Sequence, residues 1–335
     1  MAYDAVPPSI QAVRDTLARI GPHVVRTPIH TWRGRELSAR VGDDTEVVLK
    51  LELFQHTGTF KARGAVNSLS MLKPEDLAKG VTACSAGNHA IAVAYAAKAM
   101  GVSAKVVMMA SANPARVARA KALGAEVLTA PTGAEAFALA EEIAAQEGRA
   151  FIHPFEGPNV AAGTGTIALE FSEQAGPLDA LIVPVGGGGL CAGISSVFKQ
   201  LQPDCKVYGV EPVGADSMTR SFAAGEPVKA LPVTTVADSL GPPYSLPYSF
   251  GLCQQNVDKL CLVDDDNLFE AMAVLFREMK LAVEPAGAAT TAALFGPLNE
   301  ELRGKRVGLI VCGANIDIEG FAKMVTRGNE IAGLV

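Results

Sequence analysis

Lys61 is the residue whose setting most invites chemistry. It lies in Thr59-Phe60-Lys61-Ala62-Arg63-Gly64-Ala65, at the opening of a predicted helix. The helix dipole disfavours a cation there, which predicts a lowered pKa. A lysine tuned in that way is the type that forms Schiff bases. On position alone, a solvated surface lysine is the competing reading.

Three more junctions share one form, in which an apolar strand ends in small residues. Cys84-Ser85-Ala86-Gly87-Asn88-His89 enters a helix, so backbone N–H groups, a hydroxyl and an amide converge as a carboxylate would need. His89 alone reads as a packing histidine. Val185 is followed by Gly186, Gly187, Gly188 and Gly189, a run that lets backbone wrap a phosphate closely. A dinucleotide fold is the rival there, because Gly186-x-Gly188 begins its fingerprint and Glu211 ends the next predicted strand. The third glycine of that fingerprint is missing, since Cys191 occupies its place. Finally, Cys312-Gly313-Ala314-Asn315 closes a late strand with a thiol, which by itself reads as core packing.

Alternating elements must position these turns. Apolar runs predict strands over 46–51, 81–84, 105–109, 126–128, 180–184, 206–210, 259–263 and 306–311. Helical patterns cover 10–20, 63–71, 90–100, 115–123, 134–146, 190–201, 265–279 and 286–294. Such alternation predicts an α/β fold with parallel sheets, whose ligands bind at the carboxyl ends of strands. A strand–helix echo between residues 80 and 152 suggests a sub-domain inserted in a larger one. The Pro-rich stretch 240–247 predicts a loop of the kind that lines sites.

Composition narrows the function classes. The 335 residues suggest about two domains, and 49% hydrophobic against 19% charged residues supports a large core. Acidic residues outnumber basic ones, 35 to 29, which argues against nucleic acid or an anionic membrane as main partner. No segment reads as a signal peptide or a membrane span. The six cysteines form no C-x-x-C pair, so a reducing cytoplasm is expected. No HExxH or zinc spacing occurs.

Taken as a set, TFKARGA, SAGNHA, GGGGL, EPxGA and CGAN resemble pyridoxal-phosphate enzymes of fold type II, the tryptophan-synthase-β-like family. The serine/threonine dehydratases and serine racemases are the group most resembled, over about residues 27 to 320. The resemblance implies two open, twisted, mostly parallel α/β sheet domains with the cofactor in the cleft between them. The large domain would comprise 1–78 plus 155–335, and a small mobile one 79–154.

The resemblance also implies roles. Lys61 forms the Schiff base with pyridoxal phosphate and acts as base at the substrate α-carbon. Phe60 packs against the cofactor ring, and Asn88 bonds its 3′ oxygen. Gly186 to Gly189 hold its phosphate, and Cys312 faces its pyridine nitrogen. Ser85, Ala86, Gly87, Asn88 and His89 hold the substrate carboxylate. Residues near 238–244, with Ser239, Leu240 and Gly241 as candidates, touch the substrate side chain. Some relatives bind a divalent cation; Glu211 and Ala215 match two of the ligand positions, and Ser217 stands at the third. Mg2+, Ca2+ or Mn2+ would suit such ligands.

A thiol is a weak donor to the pyridine nitrogen, which favours β-elimination over transamination. Serine racemases place Ser where this chain has Ala86, so elimination is expected here. The implied activity is an ammonia-lyase acting on a β-hydroxy-α-amino acid: threonine, serine, or a bulkier analogue such as phenylserine or 3-hydroxyaspartate. A racemase or β-replacement enzyme is the alternative on the same fold, and a dinucleotide-binding oxidoreductase the alternative of another class. The family pattern also implies a homodimer or homotetramer. Ser239 where relatives often carry Gly, and Thr164 where they often carry Gln, set this chain apart and bear on its substrate.

Overall fold

A computed structural model describes residues 5–85, 87–229 and 231–334. The described residues form two sheets. The strands, in chain order, are β1 Ile29–Trp32, β2 Glu46–Lys50, β3 Val81–Cys84, β4 Ala104–Met109, β5 Glu126–Ala130, β6 Ala150–Phe151, β7 Ala180–Pro184, β8 Lys206–Pro212, β9 Lys259–Val263 and β10 Arg306–Ile310.

The larger sheet runs β1-β2-β10-β7-β8-β9 and the smaller β5-β4-β3-β6. Among these strands of the described residues, β1 and β2 pair antiparallel and the other neighbours pair parallel. Central strands such as β7 are buried along their whole length, which is why they read as unbroken apolar runs. The short strands β1 and β6 lack such a run and have no counterpart among the strands expected from sequence.

Chain order differs from sheet order at one useful place. β10, late in the sequence, inserts between β2 and β7. The carboxyl ends of these three neighbours therefore lead into the Lys61 loop, the Cys312 loop and the glycine run. β3 of the smaller sheet leads into the Ser85–His89 turn. All four motifs thus leave the carboxyl ends of parallel strands, the place where open α/β sheets bind ligands.

The helix Pro158–Ala175 was not among the expected elements, although it spans 18 residues. It is buried on nearly every side and so shows no polar face to mark a helical period. It packs tightly against the Lys61 helix, because Gly163 lets the backbones meet. A methyl group at Gly163 would come within 2.7 Å of the Arg63 carbonyl oxygen.

A buried charge network fixes the same contact. Arg63 forks onto both Glu52 and Glu170, with four N–O distances of 2.8–2.9 Å. Lys50 adds a second cation, 2.7 Å from Glu170 and 2.7 Å from the Thr27 carbonyl. All four charged side chains are at most 1% exposed. Two cations against two anions leave the cluster neutral, and the extra hydrogen bonds offset part of its desolvation.

Candidate active site

Lys61 is the first residue of the helix Lys61–Ser70, two positions earlier than the predicted start. Its amine donates to the carbonyl of Pro154 at 2.6 Å. Burial pushes its pKa down to about 8, against the pull of Cys312 and Glu284. The lowering matches the expectation but the cause does not: desolvation of the amine dominates, not the helix dipole. Phe60 precedes the helix with its ring 5.2 Å from the Lys61 nitrogen. A small cavity brings Phe60 and Lys61 together with His89, His153, Thr164 and Leu190.

Cys312 lies behind Lys61. The Phe60 N–H donates to the Cys312 carbonyl, and Thr59 bridges to Gly313, so the two loops are stitched together. Burial, with the nearby Glu284 carboxylate, holds the Cys312 thiol well above its ordinary pKa, so it stays a thiol.

Gly87 caps the helix Asn88–Ala99, and its N–H donates to Ser85 Oγ at 3.0 Å. The first N–H groups of that helix have no intrahelical acceptor, which leaves them for an anion. The His89 ring is spent on packing: one nitrogen sits 2.8 Å from the Ile152 carbonyl, and burial lowers its pKa to about 3. Its backbone N–H, at the start of the helix, is free for the carboxylate role. Ala86 falls outside the described residues.

Asn88 does not stand alone. Its amide nitrogen donates to Glu284 at 2.8 Å and to Ser239 at 3.0 Å, while its oxygen accepts from Asn315 at 2.8 Å. Glu284 is buried, and desolvation raises its pKa to about 7 despite the nearby Arg116. Arg116 bonds Asp238 at 2.6 Å and the Asn315 carbonyl at 3.0 Å, and lies 3.6 Å from Glu284. It carries these bonds from the helix Pro114–Ala122, beside the smaller sheet, to loops of the larger one.

The glycine run has a geometry no other residues fit. Gly188 has φ +92°, the left-handed region. A methyl on Gly187 would sit 2.3 Å from the Phe155 ring, and one on Gly189 2.2 Å from the Phe155 carbonyl. The helix Gly189–Leu201 then begins, with its N–H groups at the loop.

The tentative positions fare differently. Ser239 reaches Asn88, but Leu240 lies over Gly186, and Gly241 packs by Val233. Glu211 spends both carboxylate oxygens on the helix Ser217–Ala224, accepting from the N–H groups of Met218 and Thr219 and the Thr219 hydroxyl. Burial raises its pKa to about 7. That capping role leaves Glu211 no free oxygen for a ribose. Among the described residues, no group of three His, Cys, Asp or Glu could hold a metal ion; Glu211, Ala215 and Ser217 would offer one carboxylate, a carbonyl and a hydroxyl instead.

Glu284, Arg116 and His153 are site residues that sequence reading missed. A signal existed for Glu284: Glu-Pro-x-Gly-Ala occurs at residues 211–215 and again at 284–288. The second copy is the one that reaches Lys61 and Asn88. Nothing in the local sequence marks Arg116.

The comparisons with known proteins agree with this geometry. A model of the family described as "Pyridoxal-phosphate dependent enzyme" matches residues 20–313. The chain is 50% identical over 321 residues to a phenylserine dehydratase of Ralstonia pickettii, covering 96% of this chain and 97% of the relative. It is 38% identical to an L-threo-3-hydroxyaspartate ammonia-lyase of Saccharomyces cerevisiae, covering 95% and 97%. The solved structure of maize serine racemase superposes with a TM-score of 0.88 at 32% identity, covering 98% of this chain and all of that one. This chain belongs to the pyridoxal-phosphate dependent enzymes of fold type II.

The residues present fit that cofactor. An amine with a lowered pKa suits a Schiff base. Bare glycine backbone at a helix N-terminus suits a phosphate. No helix of the described residues is long and apolar enough to cross a membrane.

Proposed function

We propose that this pyridoxal-phosphate dependent enzyme is a dehydratase, an ammonia-lyase that converts a β-hydroxy-α-amino acid to a 2-oxo acid and ammonia. Threonine and serine lie at one end of its substrate class and bulkier analogues at the other. The 50% identity to a phenylserine dehydratase supports a preference for the phenylserine end. The observation that carries the reading is Lys61, an enclosed amine with a pKa near 8 at the meeting point of four strand-end loops.

Bound pyridoxal phosphate supplies an electron sink for negative charge at the substrate α-carbon. Lys61 would hold it through Nζ, Phe60 would pack beside it, Asn88 would turn to its 3′ oxygen an amide hydrogen now given to Ser239 or Glu284, and Gly186 to Gly189 would hold its phosphate. Cys312, kept a neutral thiol that donates to the Ala286 carbonyl at 3.3 Å, would be at most a weak donor to its nitrogen. The N–H groups of the Ser85–His89 turn orient the substrate carboxylate. With substrate held, a free Lys61 Nζ would take the α-proton, since a buried amine with a pKa near 8 can accept a proton close to neutral pH. The β-hydroxyl then leaves with a proton as water. The unsaturated amine that remains shifts to an imine, and one water converts it to 2-oxo acid and ammonia. Water lost and water gained cancel, so the products sum to the substrate.

The residue type at Ala86 supports elimination over racemisation, since a methyl group cannot deliver a proton to the opposite face. We further assign residues 79–154 to a small mobile domain and the remainder to the large one. A homodimer or homotetramer, as the family pattern implies, completes the reading, and six free cysteines support a reducing cytoplasm. A panel of β-hydroxy amino acids tests it. Release of 2-oxo acid and ammonia in equal amounts is expected, and racemised substrate without 2-oxo acid would overturn it.

A further inference from the structure

We propose that a wall of rings formed by Phe137, His153, Phe155 and Tyr244 receives the substrate's β-substituent and selects an aryl group. This deepens the dehydratase reading and rests on it. His153 immediately precedes Pro154, whose carbonyl takes the Lys61 hydrogen bond, and it lines the same cavity as Lys61. The wall therefore begins beside the reacting amine.

From His153 the rings spread outward. Phe155 lies 4.7 Å away at 88°, and Phe137 and Phe151 each lie 6.1 Å away, edge-on. Tyr244 continues from Phe155 at 5.8 Å. Edge-to-face and tilted contacts of this kind offer a further ring the arrangement that aromatic quadrupoles prefer. Phe137 comes from the helix Gly133–Glu147, beside the smaller sheet, and Tyr244 from a loop of the larger one. The wall thus draws one ring from beside each sheet.

The charges nearby point the same way. Arg116 is the cation closest in role, but Asp238, the Asn315 carbonyl and Glu284 already compensate it. A second substrate carboxylate would have to displace one of them. An aryl group asks for nothing of the kind.

His153 adds a polar signature. Its Nδ1 accepts from the N–H groups of Phe155 at 3.2 Å and Glu156 at 3.0 Å, so the neutral ring carries its proton on Nε2. Burial and the Lys61 charge hold the ring neutral, with a pKa near 4. Nε2 is buried and has no hydrogen-bond partner among the described residues. An unmet buried donor is destabilising, and an oxygen on the ligand would relieve it. An oxygen next to an aryl group is the substitution that a β-hydroxy-β-aryl amino acid carries at Cβ.

The test uses the holoenzyme and two readouts. The first is the ratio of kcat/KM for phenylserine over threonine. The second is the affinity for phenylalanine against alanine, neither of which has a β-hydroxyl, read from the cofactor's absorbance. In the unaltered enzyme phenylalanine should bind at least about tenfold tighter than alanine, the ~1.4 kcal/mol of one well-formed ring contact. Phe137→Ala and Tyr244→Ala should each lower both ratios several-fold, and Phe137→Leu should lower them less. His153→Phe, which keeps a ring but removes the N–H, should lower the phenylserine rate while sparing phenylalanine binding. Equal binding of phenylalanine and alanine, or ratios untouched by all of these substitutions, would overturn the wall. If threonine is deaminated and phenylserine is not, the wall fails and the dehydratase reading stands. If neither yields a 2-oxo acid, the dehydratase reading fails, and the binding ratio still decides the wall.

Discussion

The Lys61 amine and the Pro154 carbonyl meet at 2.6 Å, and this bond ties the start of one helix to the segment that leaves β6. Burial of the amine lowers its pKa from 10.5 to about 8, a shift that such a bond by itself would oppose. In the cofactor-free protein, the folded chain then sheds a proton between pH 8 and 10.5 that the unfolded chain keeps. Stability must rise with pH across that window relative to a Lys61→Met variant. Urea midpoints of both proteins at about pH 7.5 and about pH 9.5 check it; the gap should shift toward the unaltered chain at the higher pH.

Two residues beyond Lys61, the Arg63 guanidinium holds Glu52 and Glu170 together inside the protein. Arg63→Ala would leave two buried carboxylates with Lys50 as their only nearby cation. A loss of about 3–5 kcal/mol in unfolding free energy is expected, as for other broken buried pairs. Arg63→Lys should recover only part of it, because an ammonium cannot fork onto two carboxylates.

Gly188 is held at φ +92°, and a methyl there would also meet Met218 at 2.7 Å. Gly188→Ala should weaken pyridoxal-phosphate binding by about tenfold, from a left-handed penalty of about 1–2 kcal/mol. Titration of the apoprotein followed at the cofactor's absorbance measures it. Gly176→Ala is a useful companion: it too has positive φ but meets no neighbour, so it should strain the fold without the loss of cofactor.

Arg116 joins a helix of the smaller sheet to Asp238, Asn315 and Glu284 of the larger one. Arg119 and Asn113 of the same segment add bonds to Asn315 and Asp317. Arg116→Gln should loosen this latch. The expected signs are a lower kcat/KM for every substrate and faster limited proteolysis between residues 110 and 125. Arg116→Lys should restore part of both.

Much of this architecture was legible in the sequence. β3 and β7 fall where apolar runs predict them, because strands buried on both faces advertise themselves. The helix Pro158–Ala175 was hidden by the same physics, since burial on all sides erases the polar face. Lys61 and the glycine run could be found because their local chemistry is unusual. Glu284 had only the repeated Glu-Pro-x-Gly-Ala motif to mark it and Arg116 had nothing local, because their meaning arises when β10 inserts between β2 and β7 and when a helix of the smaller sheet docks. Glu211 adds a contact that the sequence did not mark: its oxygens cap its own neighbouring helix.

Reduction of the holoenzyme with borohydride, followed by peptide mapping, tests the central claim most directly. A yellow protein whose cofactor becomes covalently fixed on Lys61 alone is the predicted result. A cofactor fixed on another lysine, or a protein that never takes up pyridoxal phosphate, would contradict the account.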